Sequence, residues 1–244
     1  MVVPDIPQNG LLAALPAADW DSMRASFGEV ELRLGDVLLE PDVPTDRLYF
    51  PTLGVISTVG IMENGVSVEM ATVGAEGMVG FGAILGSRTP LSKQVVQVAG
   101  QAMIITYSDF TRWREEKPAF QKILLDYAQA FLIQVLQSVA CNAVHPVYDR
   151  AARWLLTCDD RAGGDMFVLT QQFLSEMLGV SRGMVSTIAR TFQKAGLIQY
   201  RRGSIVITDR AGLEEAACEC YRIIHDAYEK RSLRLKPTTL RSRP

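Results

Sequence analysis

The sequence predicts an α+β protein in two folded parts bridged by one long helix. Three observations predict it. Residues 30–107 read as short β-rich runs separated by turn residues, residues 118–142 as one unbroken apolar helix, and residues 146–222 as amphipathic helices followed by a strand–turn–strand unit. A length of 244 residues accommodates two modest domains of about 100–200 residues each. With 48% hydrophobic and 21% charged residues, each part can bury a core of its own.

The net charge of −2 conceals an asymmetry: residues 1–143 carry 9 basic and 16 acidic side chains, residues 144–244 carry 16 and 11. A basic half beside an acidic one directs phosphate contact to the C-terminal part. Five of the basic residues lie in the acid-free tail 231–244, whose composition reads as disordered. No apolar run approaches the ~18 residues of a membrane span, and the acidic, polar N-terminus lacks a secretory pattern, so a cytoplasmic protein without a membrane partner is expected.

The four cysteines, Cys141, Cys158, Cys218 and Cys220, form no C-x-x-C pair and read as free thiols of a reducing compartment. Cys141 and His145 lie one helical turn apart and read as packing with a hinge hydrogen bond, the alternative being a shared ligand or a redox sensor. Two histidines are too few for a His-rich metal site, so no metal ligand is assigned.

In chain order, residues 19–27 read as a short helix. Strands are expected at 37–39, 47–50, 55–61, 66–71 and 95–107, with turns at 40–42, 51–54, 63–65 and 74–86. Asn64-Gly65 suits a tight hairpin, since both residues tolerate the positive φ it requires. Such strands make a small sandwich or barrel. Ser108 begins the helical part. Pro118 opens a helix to about Asn142, with Phe120, Leu124, Tyr127, Phe131, Val135 and Val139 at steps of three or four. Ile123, Ala128, Leu132 and Leu136 widen this stripe, so more than one face is buried. The barrel covers one face, and the same helix of a second copy covers the other, giving a homodimer through the Phe120–Val139 stripe; a central helix of a monomer is the alternative. Pro146 breaks the helix, residues 147–156 resume it, and Gly163-Gly164 marks a loop.

Residues 171–190, QQFLSEMLGVSRGMVSTIAR, carry the chemistry. Two helices crossing through a tight turn need a residue that enters the left-handed region, and Gly179 supplies it. Ser175 is the small residue where the helices meet, while Leu174, Leu178, Val180, Val185 and Ile188 lock them together. Thr170 caps the first helix and Ser181 the second. This is a helix-turn-helix, with a bare αα-hairpin as the alternative. A wing follows, with strands at 198–200 and 204–207 and Arg201 and Arg202 at its tip, placed for phosphate. The second helix enters the major groove N-terminal end first. Its outward residues are Ser181, Arg182, Gly183, Ser186 and Thr187, joined for DNA contact by Thr170 and Gln171 and by Arg190 on the backbone. Arg182 is the expected base reader, because its guanidinium matches the O6 and N7 of guanine.

From Gly35 to Tyr221 the chain resembles the Crp/Fnr superfamily of bacterial regulators. The likeness rests on Gly35-Asp36-Val37-Leu38, residues 49–54 (YFPTLG), residues 72–80 (TVGAEGMVG), residues 150–156 (RAARWLL) and the helix-turn-helix. The resemblance implies an N-terminal double-stranded β-roll of the cyclic-nucleotide-binding type over residues 1–117, a dimerisation helix and hinge over 118–145, a winged helix-turn-helix over 146–222, and a helix end with a basic tail over 223–244. It implies a homodimer on a palindromic DNA operator and, for an activator, contact with RNA polymerase. In nucleotide-binding members a Gly-Glu pair meets the ribose and an Arg about ten residues on meets the phosphate. Here Gly74, Glu76 and Gly77 match the first element, but the Arg position falls on Ser92, leaving Arg88 or Lys93 as displaced cations. Cyclic AMP or cyclic GMP is therefore a doubtful effector. Residues 1–140 contain no cysteine, so no iron–sulfur cluster of the N-terminal kind is expected, and no cofactor is assigned. Gly183 and Thr187 replace Glu and Arg of the cAMP-receptor pattern, so the operator should differ. A cupin-like metalloenzyme would need clustered His and carboxylate ligands, which the β region lacks; no enzymatic activity is expected.

Overall fold

A computed structural model describes residues 7–63, 65, 67–162, 167–168, 170–201 and 203–230. Two short helices, α1 (Gly10–Ala13) and α2 (Ala17–Met23), lead into β1 (Phe27–Leu32) and β2 (Val37–Leu39). The long strands β3 (Arg47–Ile61), β4 (Ser67–Val73) and β5 (Lys93–Thr106) complete a five-stranded antiparallel sheet of order β1-β5-β3-β4, with β2 also on β5. The sheet rolls around Phe27, Leu48, Phe50, Ile56, Val96 and Met103, all buried, and Phe27 and Phe50 meet edge to face at 5.7 Å. Asn64 and Val66 of the expected hairpin turn lie outside the described residues; Gly65 between them has φ 80°.

Two expectations for this part are corrected. Residues 51–54 are not a turn: β3 runs through them, because register shifts at Pro51/Leu53 and Leu53/Val55 absorb the proline, which has no N–H to give the ladder. The short helix expected over 19–27 stops before Phe27, which opens β1, a strand paired along its length with Gly100–Ile105 of β5.

Helix α3 (Tyr107–Glu116) follows, its first turn capped by the Thr106 hydroxyl, and α4 (Pro118–Val144) starts at a proline, as expected. Phe120, Leu124, Tyr127 and Phe131 are buried in the roll's own core, and Val135 packs against it. These five therefore do not form the dimer seam assigned to them; the three-and-four spacing marks the face turned inward. The outward apolar residues of α4 are Leu125, Leu132, Leu136, Val139 and Val144, at 50–72% exposure. Of the expected seam only Val139 is on this face. α4 is long and apolar enough to cross a bilayer by length and composition, but one of its faces is committed to the protein core.

The C-terminal part consists of α5 (Val147–Ala162), β6 (Phe167–Val168), α6 (Gln171–Leu178), α7 (Arg182–Lys194), β7 (Ile198–Arg201), β8 (Ser204–Ile207), α8 (Arg210–Glu215) and α9 (Cys220–Glu229). Strands β6, β8 and β7 form an antiparallel three-stranded sheet in that order. Its core joins Leu155, Leu174, Leu178, Val185, Ile188, Phe192, Ile198 and Leu213, and extends without a break to Val55 and Val59 of β3. The two parts are thus docked. Trp154 Nε1 donates to Glu69 Oε1 at 2.7 Å and Gln97 Nε2 to Cys158 Sγ at 3.4 Å across the junction. The basic tail 231–244 and Gly163-Gly164 lie outside the described residues.

Candidate nucleic-acid interface

The α6–α7 pair is built by local chemistry. The Thr170 hydroxyl accepts from Phe173 N–H at 3.1 Å, and the Ser181 hydroxyl from Met184 N–H at 3.3 Å, so each helix starts with an orphan donor satisfied. Gly179 ends α6 at φ 66°, ψ 36°, a left-handed conformation that any Cβ would strain. Leu174, Leu178, Val185 and Ile188 are each at or below 5% exposure, which fixes the roll of α7 about its axis. That leaves Ser181, Arg182, Gly183, Thr187 and Arg190 outside, with Ser186 half-buried. Arg182, Ser186 and Arg190 recur at steps of four and share one face.

Three hydroxyls on α7 donate back along the helix: Ser186 to Arg182 O, Thr187 to Gly183 O and Thr191 to Thr187 O, at 3.0–3.1 Å. Their oxygens keep a free acceptor direction. Thr170 is exposed and Gln171 half-buried at the start of α6. Arg201 is exposed at the end of β7; Arg202 lies outside the described residues. Among the described residues, no ion pair engages Arg182, Arg190, Lys194 or Arg201. A capped helix end thus presents unneutralised guanidinium groups, the arrangement that meets phosphate and base edges.

The residues expected to meet an effector do not converge. Glu76 is buried and pairs with Arg161 of α5, Nε to Oε1 at 2.7 Å, and also accepts from Gly74 N–H at 3.1 Å. Arg161 further donates to Gln134 Oε1 at 2.9 Å and to the Thr72 hydroxyl, and lies 5.4 Å from the Tyr228 ring centre. The glycines allow this closeness: a Cβ on Gly74 would stand 2.7 Å from Arg161 Cβ, and one on Gly77 2.7 Å from the Tyr127 ring. Arg88 is engaged elsewhere by Asp46, by the Thr45 carbonyl and by the Tyr107 ring. Lys93 pairs with Glu40 at 3.2 Å, and buried Ser92 accepts from Gln94 Nε2 at 3.0 Å. Neither cation reaches Glu76; a cation from the C-terminal part does. No sequence motif marked Arg161, because its partner is 85 positions away.

The structure also brings together residues that the sequence reading kept apart. Cys141, His145, Cys218 and Cys220 place their four ligand atoms within 4.8 Å of one another. All four cysteines are buried and unbridged. A hydrogen bond from Cys218 pulls the Cys141 thiol down to about 5 and pushes the Cys218 thiol up, and the same Cys141 sulfur holds the His145 imidazole above its ordinary value. The available signal was the pairing of Cys-x-x-x-His at the end of one helix with Cys-x-Cys at the start of another.

The architecture is a β-roll joined by a long helix to a winged helix-turn-helix. Residues 149–216 match the family model of the Crp-like helix-turn-helix domain. The chain superposes on FixK2 from Bradyrhizobium japonicum with a TM-score of 0.68 at 15% identity, covering 79% of this chain and 98% of that one. It superposes on the c-di-GMP responsive global regulator CLP of Xanthomonas campestris with a TM-score of 0.64 at 17% identity, covering 79% and 99%. A Crp/Fnr-family transcriptional regulator of Thermus thermophilus gives 0.64 at 21%, covering 78% and 98%. No curated protein matches the sequence. The chain therefore carries a Crp-like helix-turn-helix domain within the fold of the Crp/Fnr regulators.

Proposed function

We propose that the protein is a homodimeric transcription regulator that reads a palindromic operator with α7 and is governed by its β-roll. One observation carries this reading: the leading turn of α7 is capped, exposed and cationic, while its opposite face is locked to α6. Arg182 reads guanine, and Arg190, Lys194 and Arg201 hold phosphates. The outward stripe of α4 supports the dimer. Leu125, Leu132 and Val139 recur every seven residues, with Leu136 interposed in a/d fashion. A second copy of α4 laid along it would set two recognition helices about one turn of DNA apart. An activator of this build would also touch RNA polymerase.

The filled turn around Glu76 speaks against a cyclic nucleotide as the effector, since the ligand would have to break a buried ion pair first. Calorimetry with cyclic AMP and cyclic GMP tests that point, and micromolar binding would reinstate the nucleotide.

For the DNA reading, affinity is measured on a selected operator at two salt concentrations. Arg182→Ala should lose about 1–3 kcal/mol at one base position only, whereas Lys194→Ala should weaken all sequences alike and lower the salt slope by about one. An Arg182→Ala protein with unchanged sequence preference would end the assignment.

A further inference from the structure

The cluster at the end of α4 has the geometry of a single-ion site. Cys141 lies in the last turn of α4, and His145 caps that helix, its N–H bonded to Cys141 O at 3.0 Å. Cys218 and Cys220 come from the segment that opens α9, with Glu219 at the N-cap between them. Cys141 Sγ and Cys218 Sγ are 3.5 Å apart, and Cys220 Sγ is 3.4 Å from His145 Nδ1. A tetrahedral ion with metal–sulfur bonds of about 2.3 Å and metal–nitrogen bonds of about 2.0–2.1 Å sets its donors about 3.6–3.8 Å apart. A polynuclear iron–sulfur cluster, with sulfides bridging its irons, would need donors set wider than the 4.8 Å seen here.

The surroundings fit the same ion. The other ring nitrogen of His145, Nε2, faces Glu219 Oε2 at 3.3 Å, so the carboxylate orients the imidazole with Nδ1 toward the sulfurs. Gln137 Nε2 donates to Cys220 Sγ at 3.1 Å. Three thiolates and a neutral imidazole around a dication carry one net negative charge. Cys218 and Glu219 also line an open cleft with Arg210, Glu214 and His225, which gives the site a route to solvent.

We propose that Cys141, His145, Cys218 and Cys220 form a four-coordinate site for a thiophilic divalent cation of the zinc class, stapling the end of α4 to the start of α9. Binding is an exchange of protons for metal: the thiols give up their protons, the sulfurs and Nδ1 each donate a lone pair, and no electron is transferred. The staple closes over the His145-Pro146 junction, where the dimer helix hands the chain to the DNA-reading domain. Its regulatory meaning rests on the regulator reading above; the site itself does not.

The test uses the full chain, purified under reductant and loaded with Zn2+ or Co2+. One ion per chain is expected, with the intense visible bands of tetrahedral Co2+ and thiolate-to-cobalt charge transfer in the near ultraviolet. Cys220→Ser should abolish this spectrum, and Cys158→Ala should leave it. Glu219 is exposed, so Glu219→Gln leaves the fold intact and should weaken metal affinity about 10–100-fold. A chain that takes up no stoichiometric metal, an octahedral cobalt spectrum, or wild-type affinity in both Cys220→Ser and Glu219→Gln would overturn the proposal. Oxidation of Cys141 and Cys218 to a disulfide in the presence of saturating Zn2+ would do so too, because metal-bound thiolates are protected. Each of these readouts is made without DNA, so failure here leaves α7 as the DNA reader, and failure of DNA binding leaves the metal site standing.

Discussion

Replacing Arg161 with methionine removes the guanidinium that holds the C-terminal part onto the turn at Gly74–Gly77. The side chains of Arg161 and Glu76 are each 1% exposed, so Arg161→Met strands a buried carboxylate beside the Gly74 N–H and releases Gln134 and Thr72 from the same network. Breaking a buried pair by removing one partner costs about 3–5 kcal/mol, most of it the desolvation of the orphaned charge. In a chain of this size each kcal/mol moves Tm by about 2–4 °C, so a fall of roughly 6–20 °C is expected. Glu76→Gln should cost a similar amount, and the double variant Glu76→Gln/Arg161→Met should recover much of the loss, since no buried charge is left unpaired. Urea unfolding of the four proteins, followed by tryptophan fluorescence, closes the cycle. Single-variant losses below about 1 kcal/mol that simply add would leave the pair without a docking role.

Three further outcomes follow from the geometry. A Cβ on Gly183 would meet only Ser181 Oγ, at 3.8 Å, so the free protein has room for it; Gly183→Ala should stabilise α7 by up to about 1 kcal/mol in thermal unfolding yet weaken operator binding at least about tenfold, and unchanged DNA affinity would show that no close approach occurs there. Leu136 is 68% exposed, so Leu136→Glu should leave the protomer folded while shifting sedimentation from dimer to monomer; a dimer that persists places the seam elsewhere. Desolvation pushes the Glu69 carboxyl up to about 7 from 4.5, against the opposing pull of its hydrogen bonds from Ser57 and Trp154. An acid whose folded value is raised stabilises the docked state while protonated, so that contribution is complete below about pH 4.5 and is lost as pH rises to about 7. Trp154 fluorescence of the folded protein should titrate with a midpoint near pH 7 and become flat in Glu69→Gln; a profile that survives the substitution assigns the transition to another group.

The helix-turn-helix was legible almost residue by residue, because its determinants are local. A capping hydroxyl, a left-handed glycine and an apolar period act within four residues of one another, so Thr170, Gly179 and Ser181 need no tertiary information. Helix α4 was legible in extent but not in phase. Phe120, Leu124, Tyr127 and Phe131 announce an apolar face without saying what covers it, and a helix apolar on two sides looks the same whichever side meets a partner. Strand β1 was missed although Glu29 and Glu31 alternate outward with buried Phe27 and Leu32 at its ends, since Gly28 between them reads as a breaker. The least legible features are those made by the fold's closure: Arg161 on Glu76, and Cys141 with His145 meeting Cys218 with Cys220 across more than seventy positions. Their chemistry is ordinary, but their proximity is set by α9 returning along α4, which no periodicity encodes.

DNA reading by α7 is tested most simply by selecting bound duplexes from a random DNA pool with the wild-type chain and with Arg182→Ala. The wild type should enrich an inverted repeat whose half-sites lie about one helical turn apart, each with a fixed guanine that Arg182→Ala ceases to enrich. A pool that stays random, or the same motif recovered with both proteins, would contradict it.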